Sequence, residues 1–222
     1  MSPVIQIVLL WIGFAASHVL LSSQALRPVL VARLGERAFL GLYSLVSLAL
    51  FVPLVSVYLD HRHEGGWLWS VSMTPAVTWL VYALMTVGVV MVVAGIASPS
   101  PTSLVAGDGP LEVRGMQRIT RHPLIMGFGV IGAVHLVPNA SATDVAFFAG
   151  LPIFAGIGCR HQELRMRATR GPAFAAYLDA TPFLPFTGGG TLRGLRELPA
   201  WVLPAGIGLS AALRWLHGPL FH

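Results

Sequence analysis

The stretch PAVTWLVYALMTVGVVMVVAGIA, residues 75–97, contains no charged side chain. About 20 consecutive apolar residues are enough for a helix to cross the hydrocarbon core of a bilayer. In lipid, every backbone polar group needs a partner within the protein, and a helix supplies those partners by itself. This stretch therefore predicts a transmembrane helix and, with it, an all-α membrane protein.

The composition extends this prediction to the whole chain. Of its 222 residues, 55% are hydrophobic and only 10% are charged, and the mean hydropathy of +0.73 is typical of an integral membrane protein. The formal net charge of +5 could suggest a nucleic-acid partner. All the basic side chains are arginines in short segments between apolar runs, which favours a membrane surface instead. We expect a lipid bilayer as a partner and no nucleic acid.

Six apolar runs predict a polytopic bundle of about six transmembrane helices. The first run lacks a positively charged start, so we expect it to be a span rather than a cleaved signal peptide. Arginine clusters follow the first, third and fifth runs, and the positive-inside rule places them in the cytoplasm. Both termini then face outward, which is the periplasm for a bacterial inner membrane. The runs cover roughly residues 3–21, 38–59, 75–97, 123–137, 146–159 and 198–216.

The chain is expected to form a single domain. Residues 98–110, SPSPTSLVAGDGP, are typical of a linker between a three-span front, residues 1–97, and a core, residues 111–222. The only cysteine, Cys159, excludes an intrachain disulfide and a covalent Cys-x-x-Cys-His haem site. Any haem must therefore be held by histidine.

Two histidines, His18 and His135, lie inside predicted spans. Ionisable side chains are costly and rare there, and they usually serve a function. Counted from the nearest cytoplasmic arginines, Arg27 and Arg121, their depths differ by about 8 Å, which helix tilt can absorb. The pair could therefore hold one metal ion or one haem iron.

Small residues flank both histidines. Gly132 lies one turn before His135, and such clearance suits a flat macrocycle. The same small residues also suit close helix packing, with each histidine hydrogen-bonded to a neighbouring helix. The residues alone leave both interpretations open.

The densest motif is RITRHP, residues 118–123. Pro123 fits the first turn of a helix, with His122 near its N-cap. His122 and His135 lie about 20 Å apart along such a helix, so one small site cannot use both. Arg118 and Arg121 are candidates to bind haem propionates, since guanidinium pairs well with carboxylates. They also fit the ordinary role of arginines at a cytoplasmic helix end.

These segments resemble the NnrU family, whose plant relatives are the zeta-carotene isomerases. The resemblance implies a non-covalent haem b held by His18 and His135, with His122 in a supporting position. In the plant branch a cysteine, proposed as an alternative ligand, occupies the position of Gly132, which argues against a cysteine–histidine ligand switch here. The matching segments are His18 with residues 26–27, then 34–37, 41–47, 118–123, 133–136 with Asn139, and 170–174 leading to 184–186.

The reaction implied by the resemblance is less definite than the haem. An open iron site could isomerise a polyene, whereas bacterial relatives are associated with denitrification and nitric oxide. The expected substrate is thus a small hydrophobic or gaseous molecule, with a membrane redox partner for the second chemistry. Whether the chain is an enzyme stays open, because a non-enzymatic assembly factor is a further alternative, and no residue is assigned as catalytic.

A second resemblance supports a rival function. The pattern R-H-P-x-x-x-G at residues 121–127, followed by Gln162-Glu163, is similar to isoprenylcysteine and phospholipid methyltransferases. It implies an S-adenosylmethionine site at the cytoplasmic end. The Arg-rich residues 162–177 additionally predict an amphipathic helix on the membrane surface, broken at Gly171-Pro172.

Overall fold

The computed structural model describes residues 1–102 and 111–221, so most of the predicted linker lies outside the described residues. Within those ranges all regular secondary structure is helical, apart from a single β-bridge between Trp67 and Ser141, and loops connect the helices. The predicted all-α class is therefore confirmed. The helices are α1 (Pro3–Leu21), α2 (Leu26–Leu34), α3 (Glu36–Asp60), α4 (Pro75–Ala97), α5 (Pro123–His135), α6 (Ala142–Phe148), α7 (Gly150–Ala180), α8 (Thr191–Arg196) and α9 (Val202–Phe221), with a 3₁₀ turn at Gly115–Arg118.

Among the described residues, four helical stretches are long and apolar enough to cross a membrane: α1, α3, α4 and the run Ala142–Ala180 formed by α6 and α7. Their lengths and composition agree with a membrane helical bundle, and the number of about six spans stays a prediction. The predicted fourth run, residues 123–137, forms α5. This helix has 13 residues and is about 20 Å long, which is shorter than the hydrocarbon core.

The predicted fifth run continues as a helix beyond Cys159. The helix passes through the Arg-rich segment and breaks at Gly171, where φ is 62° and ψ is −145°, just before Pro172. The predicted break is confirmed. Glu163, Phe174 and Tyr177 are buried in this segment, whereas Leu164 and Arg167 are exposed. The segment therefore has a buried and an exposed face, and its position on the membrane surface stays a prediction.

The described residues form two compact units, each made from two stretches of chain. Unit 1 comprises Met1–Val71 with His135–His161, and unit 2 comprises Ser72–Val134 with Gln162–His222. This division differs from the predicted front, linker and core, because α5 and α7 each contribute to both units.

In unit 1, α1 packs along α3 and α6. Trp11 lies at the centre of this packing, and its indole N–H donates a hydrogen bond to the Phe147 carbonyl, 3.1 Å away. Aromatic rings bury much area and favour edge-to-face or tilted contacts, which explains their concentration in this core. The buried members are Ile7, Trp11, Phe14, Leu54, Tyr58 and Phe147.

In unit 2, glycines allow α4 and α5 to approach closely. A Cβ on Gly127 would lie 2.9 Å from the Gly88 carbonyl, and a Cβ on Gly95 would lie 2.5 Å from the Leu124 backbone nitrogen. Neither contact can be relieved by moving a flexible side chain. At these glycines, close helix packing accounts for the small residues.

We expect Gly95→Ala to destabilise unit 2 by about 1–3 kcal/mol, because the new methyl group forces the backbones of α4 and α5 apart. Thermal unfolding in detergent micelles measures the effect. The matched control is Gly208→Ala in α9, where a Cβ would meet no atom within 4 Å. Equal stability of the two variants would contradict the close approach.

Candidate functional site

His18 lies in the last turn of α1 among aromatic rings of unit 1. Its ring centroid is 4.2 Å from that of Phe14, 5.0 Å from Tyr43 and 5.1 Å from Phe154. Its Nδ1 is 3.0 Å from the Phe14 carbonyl oxygen. Because a carbonyl oxygen can only accept, Nδ1 carries the proton and the neutral ring keeps its lone pair on Nε2.

Ser47 is the polar neighbour of that lone pair. Its hydroxyl oxygen is 3.4 Å from His18 Nε2 but 2.8 Å from the Tyr43 carbonyl. A hydroxyl has one proton, and the shorter distance favours donation to the carbonyl. The contact of His18 Nε2 with Ser47 is then long and weak. An oriented ring with an available lone pair is what metal ligation requires.

His135 is the last residue of α5, and its ring stacks on Phe148 with a centroid distance of 4.3 Å and an interplanar angle of 12°. Phe148 and Phe154, the respective neighbours of His135 and His18, are six residues apart, about 9 Å along a helix. Two imidazoles on one iron need nitrogens about 4 Å apart, twice an ordinary metal–imidazole bond. The shared iron stays a prediction.

Aromatic rings connect the surroundings of the two histidines. Phe154 lies 6.2 Å from Trp11, Trp11 lies 6.3 Å from Phe147, and Phe147 lies 5.2 Å from Phe148. These four rings, which we call the aromatic wall, line unit 1 between His18 and His135. These four rings provide apolar, polarisable contacts and carry no charge.

The RHP motif forms a buried ion-pair network in unit 2. Arg121 Nε donates to Glu163 Oε1 at 2.5 Å, and His122 Nε2 lies 2.9 Å from the same oxygen. The glutamate and histidine side chains are each 1% exposed. Arg121 Nη1 also donates to the carbonyls of Leu178 and Thr181. Arg121 therefore fastens α7 to the start of α5, and its contact with a propionate stays a prediction.

Burial lowers the pKa of His122, although the neighbouring Glu163 acts in the opposite direction. Burial thus favours the neutral ring. Its Nε2 lies 2.9 Å from Glu163 Oε1, and its Nδ1 lies 3.2 Å from the Thr102 hydroxyl oxygen. The predicted supporting position of His122 thus corresponds to a polar contact that joins three segments of unit 2.

Arg118 is paired with a different carboxylate. Its Nε donates to Glu197 Oε2 at 2.7 Å, and the Gly115 backbone N–H donates to the same oxygen at 2.8 Å. These hydrogen bonds lower the pKa of Glu197 to about 2. The pair fixes the 3₁₀ turn to the end of α8, and the contact of Arg118 with a haem propionate stays a prediction. Gly132, the glycine one turn before His135, is buried in α5.

A second polar cluster, in unit 1, was not indicated by the sequence pattern. The fully buried Asp144 accepts hydrogen bonds from the Tyr58 hydroxyl at 3.0 Å, from His63 Nδ1 at 2.9 Å and from the Ser141 hydroxyl at 2.7 Å. It ties the end of α3 to the start of α6. Ser141 and Asp144 have the spacing of a helix N-cap and its third residue, which indicates where α6 begins but not which distant residues join it.

Two comparisons with known proteins point to related proteins. The family described as NnrU protein matches residues 6–222. The chain is 28% identical over 204 residues to 15-cis-zeta-carotene isomerase, chloroplastic, of Arabidopsis thaliana, a match covering 89% of this chain and 53% of that protein. The corresponding protein of Zea mays is 27% identical over 197 residues, covering 86% and 51%. The chain thus spans about half the length of these curated relatives. No solved structure matches significantly.

We expect Glu163→Gln to cost about 3–5 kcal/mol of stability, because it leaves the Arg121 charge buried without its counter-ion. Chemical or thermal unfolding in micelles provides the measurement. Glu36→Gln is the matched control, since Glu36 forms a surface ion pair with Arg27 and its side chain is 51% exposed. That change should cost no more than about 1 kcal/mol, and a similar loss in both variants would contradict a buried network.

We expect acidification to weaken the fold through His122. The folded state holds this ring neutral, whereas the unfolded chain takes up a proton near the ordinary histidine pKa of about 6.5. Stability is therefore fully present above that value and falls as the pH drops below it. The thermal midpoint, followed from about pH 8 to about pH 5.5, should fall less steeply in His122→Gln than in the unmodified chain. Parallel pH profiles would contradict this assignment.

Proposed function

We propose that this chain, which belongs to the NnrU family, is a membrane isomerase that converts a cis double bond of a lipophilic polyene to trans, using a non-covalently bound haem b at His18. The names of two relatives, both 15-cis-zeta-carotene isomerases, support the reaction class. The observation that carries the haem proposal is the oriented His18 ring with its available Nε2 lone pair.

The reaction makes modest chemical demands on the protein. Isomerisation rotates two halves of a molecule about one carbon–carbon bond, so no atom or electron is gained or lost overall. The protein needs to bind an apolar chain, exclude water and weaken one double bond during the rotation. A membrane protein meets its polyene in the bilayer, and the aromatic wall keeps the interior of unit 1 beside His18 apolar.

The residues of unit 1 fit a haem at His18. The Phe14 carbonyl holds the Nδ1–H and thereby orients the ring, which is the usual arrangement for a metal-binding histidine. The rings of Phe14 and Phe154 restrict its rotation and keep charge away. When bound there, the haem would supply an iron centre able to polarise a double bond.

His135 is the second residue that we propose would hold the haem. Bound there, the haem would supply an iron centre able either to polarise a double bond or, with a membrane redox partner, to bind nitric oxide, the expectation from bacterial relatives. We place the chain in a bacterial inner membrane with both termini outward, from its arginine distribution.

We expect the purified protein to show a Soret band that is lost in His18→Ala. The control is His161→Ala, which removes another half-buried histidine of unit 1, whose Nε2 lies 3.1 Å from the Ser22 hydroxyl oxygen. That variant should keep the band. In His18→Gly, added imidazole should restore it, because the free base can occupy the space of the missing ring. Absorption spectra of oxidised and reduced samples measure these outcomes.

Further variants separate the alternatives. A band lost in both His18→Ala and His135→Ala supports a shared iron, whereas loss in His18→Ala alone supports a single protein ligand. Carbon monoxide binding to the reduced sample reports an open face. A colourless preparation overturns the haem proposal. If that preparation binds S-adenosylmethionine, the methyltransferase function at Arg121, His122 and Glu163 replaces it.

A further inference from the structure

The loop that follows α3 has two chemically distinct halves. Residues 60–64, DHRHE, are all ionisable, whereas no charged residue occurs between Glu64 and Asp108. The first residues after Glu64 are GGWLWSV, residues 65–71, which we call the apolar half-loop. The change from charged to apolar occurs within one connection between two candidate spans.

The apolar side chains of this half-loop are exposed. Trp67 is 62% exposed, Leu68 60%, and Trp69 38%. Clustered exposed apolar side chains usually mark a surface that contacts a partner or a membrane. The fold of unit 1 leaves these side chains on its surface.

The backbone of the half-loop is nevertheless held firmly in place. The Leu68 N–H donates to the Ala140 carbonyl at 2.9 Å, and the Trp69 indole N–H donates to the Leu136 carbonyl at 3.0 Å. Trp67 forms the β-bridge with Ser141. Because the Leu68 N–H and the Trp69 indole N–H already have partners, moving them into a less polar medium costs less free energy.

We propose that the apolar half-loop is an interfacial membrane anchor, with Trp67 and Leu68 inserted at the boundary between head groups and acyl chains. Its position in the chain supports a lipid partner, because α3 ends at Asp60, only a few residues earlier. A connection at the end of a span lies at the bilayer boundary, where tryptophan is the preferred anchoring residue. The charged half, residues 60–64, stays in water.

The anchor has a structural consequence for His135. The Trp69 indole holds the carbonyl of Leu136, the residue that follows His135. The depth of the half-loop in the bilayer therefore sets the depth of the C-terminal end of α5.

The experiment places an environment-sensitive nitrobenzoxadiazole label on Trp67→Cys, in a Cys159→Ala background, in phosphatidylcholine vesicles. We expect blue-shifted emission and stronger quenching by lipids carrying a nitroxide near the head group than by lipids carrying it near the chain end. Leu68→Cys repeats the measurement at a second exposed position. Glu64→Cys is the matched control in the charged half and should give water-like emission without lipid quenching.

Two results would overturn the proposal. Labels at Trp67→Cys and Leu68→Cys that behave like the label at Glu64→Cys would place the half-loop in water. Blue-shifted labels that lipid nitroxides do not quench would show that protein, such as a second copy of this chain, covers the half-loop. None of these readouts depends on haem or on isomerase activity.

Discussion

Backbone polar groups that lie away from water must find hydrogen-bond partners, and this requirement governs the fold of the chain. Within the bilayer only the chain itself can supply those partners, so the long apolar runs become helices. The helices then bring a few polar side chains into surroundings where an unsatisfied group is expensive. In the described residues, two buried carboxylates, Asp144 and Glu163, lie at the centres of such polar clusters.

These two clusters show what the ordinary solution looks like. Asp144 accepts from three different side chains, and Glu163 receives both Arg121 and His122. In each cluster a buried carboxylate joins helices that are distant in sequence. Against this background, the imidazole of His18 is the feature on which the haem proposal rests, because the Phe14 carbonyl fixes its Nδ1–H and its Nε2 has only a long contact with Ser47.

The sequence predicted those parts of the fold that depend on local patterns. The bounds of α1 and α4 coincide with the predicted runs, and the break at Gly171-Pro172 follows from backbone preferences of these two residues. The predicted run 123–137 also matches α5, Pro123–His135, to within two residues. The pairing of Arg121 with Glu163 was not predicted, since 42 positions separate them and a single sequence records no contacts over that distance. The sequence singled out His18 because an ionisable side chain inside a predicted span is rare. Which of its ring nitrogens carries the proton could be assigned only from the positions of neighbouring oxygens in the structure.

The surroundings of His18 and His135 bear on how the proposed isomerase would be built. The ring of His18 is fixed by a hydrogen bond and by three aromatic neighbours, and the ring of His135 stacks on Phe148. Both residues lie in the last turn of their helices. A residue that holds a metal benefits from a fixed ring orientation, so these contacts support the proposal that His18 and His135 would hold the haem.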